Sequence, residues 1–280
     1  MDVQLSRMCV SASEVNANVE SWILKHFSCG SSWKDDKCSI SKSNVEYHKR
    51  YYLNERLYCI LHHIEVANVS MYLNQLREME IYTRENIDIF LDFILDAVSR
   101  DTNCAVPYAR LCHEIAIEQG SQFKQALCKK CLQLFEKKSL GYTERRLKMR
   151  EIKTYNEASK IASLKLELEQ YNNQLRSEYT KFIHFIGELF LNQLLSNNVI
   201  VNYIHGLLSR RDDEGLECAC LLLSRVGGLL ETSGCGLHQI FYILQSFVNC
   251  SNQGNVSYRV WNMANELLAL RSSHWLKNTN

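Results

Sequence analysis

A single proline, Pro107, and 11 glycines among 280 residues leave this chain too few turn-forming residues for a fold of many short strands. Long segments rich in leucine, isoleucine, lysine, glutamate and glutamine instead repeat their apolar residues every three to four positions, the spacing of amphipathic helices. An apolar fraction of 46% supplies a sizeable core. The sequence therefore predicts an all-α fold.

Short connectors divide the chain from Val69 onward into amphipathic segments that fall into pairs. A pair of this length, roughly 35 to 45 residues, is typical of stacked helix hairpins, which bury their apolar faces only against neighbouring pairs. We therefore expect an α-solenoid of about five antiparallel helix pairs. The predicted helices are 69–80 with 84–100, 105–118 with 121–137, 179–195 with 198–209, 213–231 with 236–249, and a last one at 256–271.

A charged insert separates the second and third predicted pairs, from about Lys138 to Tyr179. Between Glu136 and Lys181, eleven lysines and arginines face seven glutamates, which gives a local net charge of +4. We expect an extended helix that projects from the repeats or lies along them. Two interpretations stay open, a solvated charged face and an RNA-binding patch with salt-dependent phosphate contacts. The candidate RNA-binding residues are Lys129, Lys130, Arg145, Arg146, Lys148 and Arg150.

Four regions follow from composition. Residues 1–45, rich in serine, asparagine, lysine and aspartate, predict a disordered tail, and residues 46–67 a helical segment. Residues 68–276 hold the repeats, and residues 277–280 form a short tail.

Charge and cysteine placement exclude several classes of protein. Lysine plus arginine number 32 against 31 aspartates and glutamates, so no global field selects nucleic acid or a membrane, and no apolar run is long enough to span one. Of the 12 cysteines, Cys112, Cys218, Cys220 and Cys250 lie on apolar helical faces, which predicts buried, reduced thiols and a cytoplasmic location.

Catalytic and metal-binding patterns are weak. Cys128 and Cys131 form a lone C-x-x-C without a second pair at zinc spacing, and no nucleophile triad or phosphate loop stands out. We therefore expect neither an enzyme nor a bound metal or cofactor.

Gly187 and Glu188 lie in the middle of the apolar segment FIHFIGELFLNQLL. A glycine there weakens a helix, and a buried carboxylate is costly unless it is paired. We expect Gly187 to allow a neighbouring helix to approach closely, and Glu188 to face a basic or backbone donor or a partner-binding surface.

Five stretches and a closing motif follow one another in a recognisable order. The stretches are IYTRE leading into IDIFLDFILDAV (81–98), VPYARLC (106–112), FKQALCKKCLQLFE (123–136), FIHFIGELF (182–190) and DEGLECACLLL (213–223). The closing LLALRSSHW (267–275) has the form Leu-Arg-x-x-x-Trp. Together they resemble the middle domain of the eukaryotic translation initiation factor 4G family, a HEAT-repeat domain, over roughly residues 69–276.

The resemblance implies a scaffold that grips the DEAD-box RNA helicase 4A by both lobes and also contacts mRNA and, in some members, initiation factor 3. It implies that Trp275 and Arg271 contact the helicase, with core capping by Trp275 as the alternative. It also places helicase contacts near Asn103 and Cys104, where this chain departs from the family's usual Glu-Pro and aromatic.

The segment YLNERLY resembles the Tyr-x-x-x-x-Leu-Φ motif of proteins that bind the cap-binding protein 4E. Tyr52, Leu57 and Tyr58 occupy its three positions, where Φ is an apolar residue. Such a motif lays a short helix on its partner. The same spacing is typical of ordinary core packing, and both interpretations stay open.

Three functional hypotheses remain. The first is a translation initiation scaffold that binds helicase 4A. The second is an mRNA adaptor or translational repressor of the same fold, such as an interactor of poly(A)-binding protein or a decoy. The third is a HEAT structural protein unconnected with translation.

Overall fold

The computed structural model describes residues 42–61, 64–79, 81–139, 141–249 and 257–276, with backbone alone at 42–49, 84–85, 138–139 and 141–143. Within these ranges the regular structure is helical throughout and contains no strand, which confirms the all-α prediction. Of the tails expected at residues 1–45 and 277–280, residues 1–41 and 277–280 lie outside the described residues, as does Cys250. Residues 42–45 correct the prediction, because they continue the helix that follows them.

Eleven α-helices lie in the described part of the chain. They are α1 (Lys42–Leu61), α2 (Val69–Glu78), α3 (Arg84–Arg100), α4 (Ala105–Gln119), α5 (Ser121–Ser139), α6 (Gly141–Ile152), α7 (Ala158–Leu191), α8 (Asn197–Ser209), α9 (Asp213–Thr232), α10 (His238–Asn249) and α11 (Tyr258–Ser272). Short 3-10 turns precede α2 and α4. The chain divides into two compact units, one up to Ile94 and one from Leu95 onward, so the boundary falls inside α3.

The first unit is built on a leucine stripe. Leu53, Leu57 and Leu61 recur along one face of α1 and are buried, and α1 packs against α2. On the exposed side of this unit, Arg50 pairs with Asp92 at 2.6 Å. The apolar residues of α1 recur at helical spacing because they form this one buried face.

The second unit contains successive helix pairs. The first helices of these pairs, α4, α7, α9 and α11, pack side by side, while α5, α8 and α10 pack against them as the second helices. Helix α9 is the most central, because it contacts α7, α8 and α11 and buries eleven of its residues. The layered packing of successive helices expected of a HEAT-type solenoid is therefore present here.

The predicted organisation of the charged insert is wrong at helix α7. We expected the third repeat to begin a separate helix near Tyr179, but α7 runs unbroken for 34 residues, from Ala158 to Leu191. Its first half belongs to the insert, where it packs against α6, and its last turns belong to the repeat core. The change from charged to apolar residues does not end a helix, because neither proline nor a capping glycine interrupts this stretch.

Candidate partner-binding groove

Helices α7 and α9 are joined by an ion pair between Glu188 and Arg225. The Glu188 side chain is only 5% exposed, so its carboxylate would be costly without this partner. A Cβ added at Gly187 would lie 3.2 Å from Cδ of Arg225, so the missing side chain makes room for the arginine's methylenes. The expectation of a close helix approach at Gly187 and a basic partner for Glu188 is confirmed, and Arg225 fulfils both.

Two further side chains of α7 face the same region. Nε2 of His184 lies 3.8 Å from Glu188, and burial together with nearby Arg225 lowers the pKa of His184, which keeps the imidazole neutral near pH 7. One turn earlier, Nζ of Lys181 donates a hydrogen bond of 2.7 Å to the carbonyl oxygen of Arg100. Lys181 therefore links α7 to the end of α3 within the second unit.

Trp275 is held against α9 by a tight turn that follows α11. His274 and Trp275 have left-handed backbone angles, with φ of 54° and 64°, and the Trp275 amide donates to the carbonyl of Leu270. This turn lays the indole on Gly227 and Gly228, where an added Cβ would come within 2.0 Å and 3.2 Å of the ring system, respectively. The glycine pair therefore forms the seat of the indole.

Glu231 ties together the two residues that the resemblance assigns to helicase contact. It accepts hydrogen bonds from Nε of Arg271 at 2.7 Å and from Nε1 of Trp275 at 2.6 Å. The Arg271 guanidinium also lies 4.1 Å from the ring centroid of Phe241, which packs edge-to-face on Trp275. Both residues thus have a packing role in the free protein, while Trp275 keeps part of its surface exposed.

An open groove of about 860 Å³ runs between α7, α9 and the end of α11. At one end it is lined by Lys181 and Thr102, and Thr102 adjoins Asn103 and Cys104. At the other end it is lined by Trp275 and Gly228. Trp275 and the residue that precedes Asn103 therefore line the same groove.

The Thr102 end is a 3-10 turn capped by Asp101. The Asp101 carboxylate accepts a hydrogen bond of 2.9 Å from the backbone N–H of Asn103, and Asn103 itself is exposed. Burial and the neighbouring Asp101 carboxylate raise the pKa of the half-buried Cys104 thiol, so it is not an activated nucleophile.

The basic residues of the insert do not all face solvent. Arg145 on α6 is 18% exposed and pairs at 2.7 Å with Glu214 in the first turn of α9, so its guanidinium is engaged in helix packing. Nζ of Lys148 lies 5.4 Å from the ring centroid of Tyr171. Lys129, Arg146 and Arg150 are exposed, and Lys130 is half-exposed. The side chain of Arg145 therefore has a structural role in joining α6 to α9.

The residues of the 4E-like segment are divided between core and surface. Leu57 is fully buried in the leucine stripe of α1, Tyr52 is half-buried and Tyr58 is 56% exposed. A partner could reach Leu57 only if this stripe came apart. The geometry favours core packing, and 4E contact stays a prediction.

Cysteine burial agrees with the sequence. Cys112, Cys218 and Cys220 are buried, as expected of small apolar side chains, and burial raises the pKa of Cys218 to about 12. The residues that the structure describes contain no group of three histidine, cysteine or carboxylate side chains placed to hold a metal ion. Over the same residues, no helix is long and apolar enough to cross a membrane.

Sequence reasoning missed a second buried carboxylate, Glu217 on α9. It accepts two hydrogen bonds from Arg176 on α7 and two from Arg259 on α11, at 2.6–3.0 Å. Burial alone would raise the pKa of Glu217, but these hydrogen bonds outweigh it and hold the pKa below 4.5. A glutamate inside the apolar stretch GLECACLLL was the available signal, as at Glu188.

The fold is a helical repeat with an open groove between its first helices. The chain belongs to the MIF4G domain family, because the model of that family matches residues 55–274. The matched range begins inside α1 and ends at His274, so it takes in every helix that lines the groove.

Three relatives of known name are similar to the chain. The chain is 26% identical over 235 residues to eukaryotic translation initiation factor 4 gamma 1 of Mus musculus, which covers 80% of this chain and 14% of the relative. It is 24% identical over 257 residues to eukaryotic translation initiation factor 4 gamma 3 of Homo sapiens, covering 88% and 16%. Over 117 residues it is 32% identical to eukaryotic translation initiation factor 4 gamma of Dictyostelium discoideum, covering 40% and 8%. The chain thus spans about a sixth or less of the length of these relatives.

Proposed function

We propose that this chain is a translation initiation scaffold that binds the DEAD-box RNA helicase 4A and favours one arrangement of its two lobes. The observation that carries the proposal is the family membership of residues 55–274, in a domain whose named relatives are initiation factors. A groove lined by both Trp275 and Thr102, the neighbour of Asn103, supports it, because both candidate contacts then belong to one surface.

The mechanism is positioning. A scaffold that binds one arrangement of the helicase more tightly than the others raises the population of that arrangement in proportion to the difference in affinity. The helix pairs of the second unit hold the two ends of the groove on one packed body. Helicase contacts made on this body would keep a fixed geometry relative to one another.

We further propose contacts with mRNA, with the cap-binding protein 4E and with initiation factor 3, and these proposals rest on family membership. For RNA, the exposed Lys129, Arg146 and Arg150 are the residues to test. For 4E, the exposed Tyr58 is the residue whose replacement leaves the leucine stripe intact.

The test is the affinity of purified helicase 4A for the intact protein, measured by isothermal titration calorimetry. Asn103→Lys at one end and His274→Glu at the other change exposed side chains, and each should weaken binding by about tenfold, equivalent to about 1.4 kcal/mol. Asn173→Lys, on an exposed position of α7, is the matched control. If wild-type protein shows no binding, or both variants bind like the control, the proposal fails.

A second measurement separates an activator from a repressor. Helicase-driven unwinding of an RNA duplex should rise when the scaffold is added, because the favoured arrangement is the working one. A scaffold that binds the helicase and lowers unwinding would instead act as a decoy.

A further inference from the structure

The walls of the groove combine exposed leucines with hydrogen-bond donors. Leu191 is 36% exposed, Leu229 49% and Leu276 71%, and all three line the groove. An isolated exposed leucine needs no explanation, but three on one concave surface form an apolar strip. Such a strip is typical of a binding site for another apolar surface.

The polar side chains of the groove are donors or hydroxyls. Lys181 and Arg225 supply the fixed positive charges, and no aspartate or glutamate lines the groove among the described residues. Glu188 lies beneath the surface, 5% exposed and paired with Arg225. Lys181 uses one of its three N–H donors on the carbonyl of Arg100, and Arg225, 37% exposed, has donors to spare. Because Glu188 balances the charge of Arg225, Lys181 supplies the net positive charge of the groove, and the spare donors of both side chains are complementary to carboxylates.

The length of the groove fits a helix. Its α7 wall runs from Thr180 to Leu191 and its α9 wall from Leu221 to Thr232, each about 16 Å at 1.5 Å per residue. On α7, Arg176 precedes Glu188. Their ion-pair partners on α9, Glu217 and Arg225, follow in the same order, so the two walls run in the same direction. A groove between two parallel helices has room for about three turns of a third helix.

We propose that this groove binds an acidic amphipathic helix of a partner protein. The leucines of the groove receive the apolar face of that helix, and Lys181 and Arg225 receive its carboxylates. The inference goes beyond the helicase proposal, because the groove has this chemistry whether or not the partner is the helicase.

Nucleic acid fits the groove less well. A phosphate backbone would meet two cations and leave the leucines exposed to water, and single-stranded bases need aromatic faces to stack on. The aromatic side chain at the groove, Trp275, lays its ring on Gly227 and Gly228. The exposed leucines suit the apolar face of a helix, whereas bound RNA would leave them in contact with water.

The experiment is a selection of peptides of about 16 residues, a length that gives some four turns, from a random displayed library against the intact protein. The selected peptides should carry net negative charge, with apolar residues at helical spacing. They should bind Leu132→Glu like wild type and Leu229→Glu about tenfold more weakly, because the two leucines are equally exposed, at 49%, and only Leu229 lines the groove. Circular dichroism confirms that both variants keep their helical content.

Charge changes at Ser224 test the electrostatic part. Ser224→Glu should weaken the selected peptides by about threefold and Ser224→Lys should strengthen them, with a difference that shrinks in high salt. Ser246 is the matched control, because both serines are exposed within a helix and donate to the carbonyl three residues earlier.

The inference is overturned if no peptide is enriched, if the enriched peptides are basic or without helical spacing, or if Leu229→Glu and Leu132→Glu bind them equally. These outcomes are independent of helicase binding, which is measured with helicase 4A alone. Loss of one result with the other intact therefore identifies which proposal has failed.

Discussion

The indole Nε1 of Trp275 donates a hydrogen bond of 2.6 Å to Glu231, while the six-membered ring of the same side chain lies directly on Gly227. This contact fastens the end of α11 to α9 and forms one end of the groove. It also gives the closing Leu-Arg-x-x-x-Trp motif a structural role that does not depend on any partner.

Gly227→Ala should displace the indole. The added Cβ would lie 2.0 Å from Cη2 of Trp275, so the ring has to move, and overpacking of this kind costs about 1–3 kcal/mol. Alanine regains up to about 1 kcal/mol of helix propensity, so we expect a net loss of about 1–2 kcal/mol. Urea unfolding followed by circular dichroism measures it.

Gly228→Ala is the control for this prediction. Its Cβ would lie 3.2 Å from Trp275, a contact that a small shift relieves, and the propensity gain offsets the rest. Its stability should stay within about 1 kcal/mol of wild type. Equal effects of the two alanines would mean that the indole does not occupy this seat.

The Glu188–Arg225 pair should behave as a coupled unit. Arg225→Ala leaves a carboxylate that is 5% exposed without its cation, which costs about 3 kcal/mol. Adding Glu188→Gln to Arg225→Ala removes the stranded charge, so the double variant should be more stable than Arg225→Ala alone. The double-mutant cycle should give a coupling energy of about 1–3 kcal/mol.

Arg110→Ala is the matched comparison for Arg225→Ala. Arg110 forms an exposed pair with Glu114 one helical turn away, at 2.8 Å, and should contribute less than about 1 kcal/mol. A loss at Arg225 no larger than that at Arg110 would contradict a structural role for the Glu188 pair.

Much of this fold follows from sequence periodicity. The predicted helix ends from Val69 onward mostly agree with the structure within a few residues, because short polar connectors interrupt the apolar spacing there. Helix α7 was missed because its boundary was inferred from a change in charge, which does not by itself break a helix. The environment of Glu188 was predictable in kind, since a buried carboxylate needs a partner, but Arg225 is 37 positions away and periodicity does not pair distant residues.

The candidate site was only partly predictable. The resemblance points to Trp275 and Asn103, and only the packing of the turn before α4 against α7, together with α9 and α11, shows that Trp275 and Thr102, the neighbour of Asn103, line one groove. Arg145 looked like its neighbour Arg146, since sequence alone does not tell which of two adjacent arginines turns inward.

The Glu217 network should make stability depend on pH. The pKa of Glu217 lies below 4.5 in the folded protein, so its contribution is present above pH 4.5 and is lost as pH falls through the folded pKa. Glu217→Gln should therefore destabilise the protein at pH 7 by about 1–3 kcal/mol, because charge-assisted hydrogen bonds are lost, and this difference should shrink as pH falls through the folded pKa of Glu217. Urea unfolding at a series of pH values measures both variants.

Glu266→Gln, at an exposed position of α11, changes the net charge equally and is the control. It should match wild type across the series. A Glu217→Gln deficit that stayed constant down to pH 3 would show that the loss is one of shape, not of charge pairing.

Variants of the insert should distinguish the arginines that bind RNA from the arginine that packs between helices. Combined Arg146→Gln and Arg150→Gln should weaken single-stranded RNA binding and reduce the magnitude of its log–log salt slope by about 1.4, at about 0.7 for each phosphate that is no longer neutralised. Arg145→Gln should instead lower stability by about 1 kcal/mol, because it removes one of the two arginine partners of half-buried Glu214 and leaves Arg210 in place. Fluorescence anisotropy over a range of salt concentrations gives the slopes.

An unchanged slope in the double variant would assign these arginines to a solvated charged face. A larger change of slope in Arg145→Gln than in the double variant would contradict the assignment of Arg145 to packing.

Helix α7 extends for about 51 Å, from the charged insert to the wall of the groove. Its backbone hydrogen bonds are continuous along that length, so the insert and the wall are one stiff rod. The outer end cannot tilt without turning Lys181 and His184 about the segment that is packed between α4 and α9. A ligand that binds the insert and tilts this helix would therefore also move Lys181 and His184 in the groove.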